Sequence, residues 1–90
     1  MKVRKHYFFH GRVQGVGFRF TTYQKATELG LTGWVKNLYN GDVEAIFQGE
    51  EELIQDLVRY MQNIRYIRIE RMKIENLPVL DNETSFQMKY

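Results

Sequence analysis

The sequence predicts an α+β fold in the order β-α-β-β-α-β, an antiparallel sheet with two helices on one face. Three observations carry this reading. Segments rich in β-branched and aromatic residues alternate with stretches of helical apolar spacing. An Asn-Gly pair joins two of the strand-like segments. Glycines fall at the joints between segments, while the single proline, Pro78, lies late in the chain.

Residues 3–13 hold Tyr7-Phe8-Phe9 at their centre and read as a buried strand. The glycines from Gly11 to Gly17 break that pattern. Residues 20–29 read as a helix, with Thr22, Ala26 and Leu29 at i, i+4 and i+7. Gly30 follows where a helix C-terminus favours glycine. Residues 33–37, with Trp34 and Val35, form a short strand. The turn Tyr39-Asn40-Gly41-Asp42 then leads into the paired strand Val43-Glu44-Ala45-Ile46-Phe47.

Gly49-Glu50-Glu51-Glu52 opens the second helix, with acids at its positive end. Leu53, Ile54, Leu57, Val58 and Met61 make its apolar stripe, which reads as core. Residues 66–74 form a strand whose apolar phase slips between Ile69 and Met72, as a bulge would produce. Residues 76–82 form a loop around Pro78. Phe86, Met88 and Tyr90 alternate with Ser85, Gln87 and Lys89, giving a half-buried terminal strand. The whole order is that of a ferredoxin-like α/β sandwich, with an extra strand at the end. That architecture hosts many functions and decides none.

Ninety residues make one domain, spanning 1–90, and 43% hydrophobic residues are enough for one core. There is no cysteine, which removes disulfides and thiolate metal sites and suits the cytoplasm. The start, Met1-Lys2-Val3-Arg4-Lys5-His6, is not followed by the apolar run of a signal peptide. No stretch approaches a membrane span. The net charge of +2 is mild, and Arg65-Tyr66-Ile67-Arg68 mixes basic with apolar residues. Such a balance suits a small anion and does not call for nucleic acid.

The chemistry concentrates in Gly11-Arg12-Val13-Gln14-Gly15-Val16-Gly17-Phe18-Arg19, between the first strand and the first helix. Glycine permits positive φ and close approach of an anion to main-chain N–H groups. The helix that follows adds its positive end. Helices usually begin with a Ser, Thr, Asp or Asn cap, and none stands between Gln14 and Arg19. An anion could satisfy the orphaned amides, and Arg19 offers a planar fork for phosphate oxygens. A tight turn with a surface arginine would leave the same trace, because a lone glycine-rich loop is a weak motif. The segment lacks the Gly-Lys-Ser/Thr ending of a Walker A loop and the spacing of a dinucleotide fingerprint.

This segment resembles the signature of the acylphosphatase family. Gly33-Trp34-Val35-Lys36-Asn37 resembles the family's second signature, Gly-Trp-Val-x-Asn. Leu29-Gly30-Leu31-Thr32-Gly33 and Gly41-Asp42-Val43-Glu44 extend the likeness, which covers nearly the whole chain. The resemblance implies hydrolysis of acyl phosphates to a carboxylate and phosphate, with no metal and no cofactor. It also implies roles. Arg19 matches the phosphate-binding catalytic arginine, and Asn37 the asparagine that orients the attacking water. Gln14, Gly15, Val16, Gly17 and Phe18 match the phosphate-cradling backbone. Two regions depart from the family pattern. Asn63-Ile64-Arg65-Tyr66 stands where many members carry Gly-Pro, and Phe86-Gln87-Met88-Lys89-Tyr90 stands where Phe-x-Ile-Arg-Tyr is common.

The expected partner is a small-molecule acyl phosphate, phosphate or another small anion, with no nucleic acid, no membrane and a monomeric chain. His6 and His10 lie four apart on one face of a strand and read as a surface pair, since no third ligand stands nearby. Glu50, Glu51 and Glu52 read as a solvated helix start, and Trp34 as a core or rim residue. The alternative is a noncatalytic phosphate- or RNA-binding module, with bases stacked on Tyr7, Phe9 and Phe47. Glu44 speaks against that, because its charge repels phosphate. A carbamoyl-phosphate-handling domain of a larger maturation factor is the third reading.

Overall fold

The computed structural model describes residues 1–90 as seven elements. These are β1 (Lys2–Arg12), α1 (Phe18–Glu28), β2 (Thr32–Asn37), β3 (Val43–Glu50), α2 (Glu51–Gln62), β4 (Arg68–Leu77) and β5 (Phe86–Met88). The sheet order is β4-β1-β3-β2-β5. Neighbours from β4 to β2 pair antiparallel, whereas β5 runs parallel to β2. The sheet is therefore the expected four-strand antiparallel core with a parallel strand added at one edge.

Tyr7 and Phe9 of β1, Val35 of β2, and Val43, Ala45 and Phe47 of β3 are buried in one core with Ile54, Leu57 and Met61 of α2. The aromatic rings interlock: Phe9 lies 5.1 Å from Phe18, and Phe47 stacks on Phe86 at 5.7 Å. Tyr7, Phe9 and Phe47 are thus core residues, and they form no exposed platform of the kind the RNA reading requires. The stripe of α2 is core as its spacing predicts.

Local details follow from the sequence. Helix α1 starts at Phe18, two residues before the start that the apolar spacing suggests. It ends in a Schellman motif, with Gly30 N–H on Thr27 O and Leu31 N–H on Ala26 O. The β2–β3 hairpin turns through Tyr39 and Asn40, with Gly41 N–H on Leu38 O and Gly41 itself at φ 95. The phase slip in β4 is a register shift: His10 faces Arg71 and Gly11 faces Ile69, so Glu70 is the extra residue.

The chain between β4 and β5 crosses the face of the sheet opposite the helices. The Gln48 side chain donates to Leu80 O and accepts from Leu80 N–H, both at 2.8 Å. Buried Arg4 pairs with Glu83 at 2.6 Å, and Thr32 donates to the same carboxylate at 2.8 Å. These bonds pin the strap, which carries the chain from one edge of the sheet to the other. It delivers β5 alongside β2, next to the start of α1.

Candidate active site

The loop between β1 and α1 adopts the conformation its glycines permit. Gly15 and Gly17 sit at φ 74 and 73, and Gly17 is the left-handed N-cap of α1. No side chain caps this helix. Thr21 has the first amide of α1 with a main-chain acceptor, Gly17 O at 3.0 Å. The preceding amides of the turn and the first helical turn are left free, as at any uncapped helix start. Val16 packs on the core and Phe18 is buried in it, so the loop is held from below.

Gln14 serves differently from its neighbours. Its side-chain amide donates to Leu38 O at 2.7 Å and Asp42 O at 2.8 Å. The side chain thus ties the loop to the β2–β3 hairpin. Asn37, the last residue of β2, shares the helix-facing side of that strand with buried Val35. The tie fixes its neighbourhood to the loop.

Arg19 and Asn37 line one cleft of about 270 Å³, together with Gly15, Gly17, Met88 and Tyr90. No residue lining it is acidic. The Arg19 guanidinium donates to Lys89 O at 2.9 Å and lies 5.0 Å from the Tyr90 ring centre. That bond leaves most of its five donors uncommitted. The Oδ1 of Asn37 is buried without a hydrogen-bond partner. Unpaired buried acceptors are rare in folded proteins, and this one belongs to a residue that lines the cleft. A second hollow of about 520 Å³ adjoins through Asn37 and Tyr90, with Lys36, Leu38 and Tyr39 on its other walls.

Met88 and Tyr90 were not apparent as site residues in the sequence. Their alternation marks one strand face, but nothing local says that this strand joins β2 in parallel. The histidines lie outside the cleft, each tied to a carboxylate. His6 Nε2 is 2.7 Å from Glu44, and His10 Nδ1 is 2.7 Å from Asp42. No group of three or more His, Asp or Glu is gathered as a metal site would need. Glu51 takes an ion pair from Lys5 at 2.9 Å, and Trp34 is a partly buried ring of the open face with Lys89 4.4 Å from its centre.

Known proteins resemble the chain along its length. A family model described as Acylphosphatase matches residues 5–88. An acylphosphatase of Picrophilus torridus is 44% identical over 87 residues, covering 93% of this chain and 99% of its own. One from Thermoplasma volcanium is 45% identical over 82 residues, covering 90% of each chain. The crystal structure of acylphosphatase from Bacillus subtilis superposes with a TM-score of 0.88 at 31% identity, covering 100% of both chains. The likeness runs the length of the chain, and both signature segments meet in one acid-free cleft: the chain belongs to the acylphosphatase family of hydrolases.

Proposed function

We propose that the chain hydrolyses small acyl phosphates without a metal ion, with Arg19 and the main chain of residues 14–18 binding the phosphoryl group and Asn37 orienting the water. The observation that carries the reading is the meeting in one cleft of Arg19, the uncapped start of α1 and Asn37, whose Oδ1 has no partner.

An acyl phosphate is a mixed anhydride whose carboxylate leaves readily, so phosphoryl transfer needs mainly position and charge stabilisation. The guanidinium and the free amides hold the phosphoryl oxygens and strengthen their grip as charge shifts onto them. Asn37 Oδ1 accepts a hydrogen bond from the water and sets its line of attack. The P–O bond to the acyl group breaks as the bond from water forms. The electron pair leaves with the carboxylate. The amide of Asn37 does not titrate, so the water proton passes to an oxygen of the phosphoryl group itself. The acyl part extends toward the adjoining hollow beside Leu38 and Tyr39.

We further read the chain as a cytoplasmic monomer whose partner is the small-molecule substrate, with no nucleic acid and no membrane. No helix is long and apolar enough to cross a membrane. The test is hydrolysis of benzoyl phosphate with chelator present, followed by titration with inorganic phosphate. Undiminished turnover and competitive inhibition by phosphate are expected. Loss of turnover with chelator, or inhibition that substrate does not relieve, would refute the reading.

A further inference from the structure

A second cationic cleft lies beyond the catalytic one, at the junction of β1, β4 and the end of α2. It has a volume of about 470 Å³ and is lined in part by Arg12, Arg65, Arg68, Gln62, Asn63 and Tyr66. None of its lining residues is acidic, and none is shared with the cleft of Arg19 and Asn37. The ion-paired arginines of the chain are Arg4 and Arg59, so these three have no carboxylate partner.

Arg12 and Arg68 stand directly opposite each other across the β1–β4 ladder. Like charges in that position oppose strand pairing. Arg65 adds a third charge from the turn that leads into β4. The C-terminal pole of α2 also lies here, but a helix end carries only about half an elementary charge, which cannot balance three guanidinium groups. The lining includes the whole segment Asn63-Ile64-Arg65-Tyr66, which stands where many family members carry Gly-Pro.

We propose that this cleft is a second anion site, for a small multivalent phosphate such as an oligophosphate. Three exposed arginines on one concavity can answer several phosphate oxygens at once, where a single carboxylate would leave charge unanswered. A guest between Arg12 and Arg68 would turn their mutual repulsion into a shared attraction, and it would stabilise the fold by mass action.

Calorimetric titration with tripolyphosphate at low salt tests the site. The Arg19→Ala chain removes the main competing grip. It is expected to bind one tripolyphosphate and to gain thermal stability with it. Adding Arg65→Ala and Arg68→Ala should weaken that binding about tenfold or more. The Arg65→Ala/Arg68→Ala chain with Arg19 intact should hydrolyse benzoyl phosphate within about twofold of the parent, since both side chains lie outside the catalytic cleft. Absence of binding in the Arg19→Ala chain would overturn the proposal, as would equal binding after the Arg65 and Arg68 changes. An oligothymidylate that binds this cleft about tenfold more tightly than tripolyphosphate would overturn the choice of a small ligand.

Discussion

The side-chain nitrogen of Gln14 donates to the main-chain oxygen of Leu38 at 2.7 Å, fastening the loop between β1 and α1 to the strand end that carries Asn37. The second bond, to Asp42 O at 2.8 Å, spans the other side of the hairpin. Gln14→Ala is expected to cost about 1–3 kcal/mol of stability by removing these two hydrogen bonds, although each oxygen keeps a main-chain donor, Gly41 N–H for Leu38 O and Leu38 N–H for Asp42 O. It should also lower kcat/KM by about tenfold to a hundredfold, because small misplacements of reacting groups are costly. Urea unfolding and steady-state kinetics on benzoyl phosphate check both.

The glycines of the chain separate into two kinds. A Cβ on Gly15 or Gly17 would meet nothing within 4 Å, so only the left-handed backbone opposes it. Gly15→Ala and Gly17→Ala should each cost about 1–2 kcal/mol of stability. They should lower activity further wherever the turn relaxes to negative φ. Gly33 differs, because a Cβ there would collide with the carbonyl oxygen of Ile46 on the paired strand. Gly33→Ala should therefore unfold far more of the protein than either loop change. Thermal melts of the three variants decide the order.

Tyr7 supplies a pH dependence. Its burial pushes the phenol above its ordinary 10.0, with Lys5 opposing the shift and Glu51 adding to it. The fold therefore favours the protonated form. This contribution to stability is full below about pH 10 and is lost as pH rises through the higher folded value. Tyr7→Phe should lose less stability than the parent between neutral and strongly alkaline pH. Urea midpoints measured across that range would contradict the assignment if the two curves fell in parallel.

Much of the fold was legible because it is local. The stripe from Leu53 to Met61, the Asn-Gly hairpin and the phase slip at Ile69 each reflect one period or one turn. The early start of α1 was hidden because its cap is a left-handed glycine with no side-chain signature, and because its apolar face is thin. The parallel placement of β5 depends on a strap pinned by buried Gln48 and Arg4 and half-buried Glu83, polar residues whose placement no periodicity announces. Arg19 and Asn37, which line the cleft, stand inside the two motifs, while Met88 and Tyr90 beside them carry no such mark.

The central claim is that Arg19 and Asn37 work together on one phosphoryl group, and single-site kinetics test it most directly. Arg19→Ala should lower kcat by about 10²–10³ and weaken inhibition by phosphate, since the fork is lost from ground state and transition state alike. Asn37→Ala should lower kcat by a comparable factor while leaving phosphate inhibition nearly unchanged, because orientation of water matters in the transition state. Phosphate release from benzoyl phosphate, measured for both variants with chelator present, gives these numbers. Turnover at the parent's rate in either variant would contradict the account.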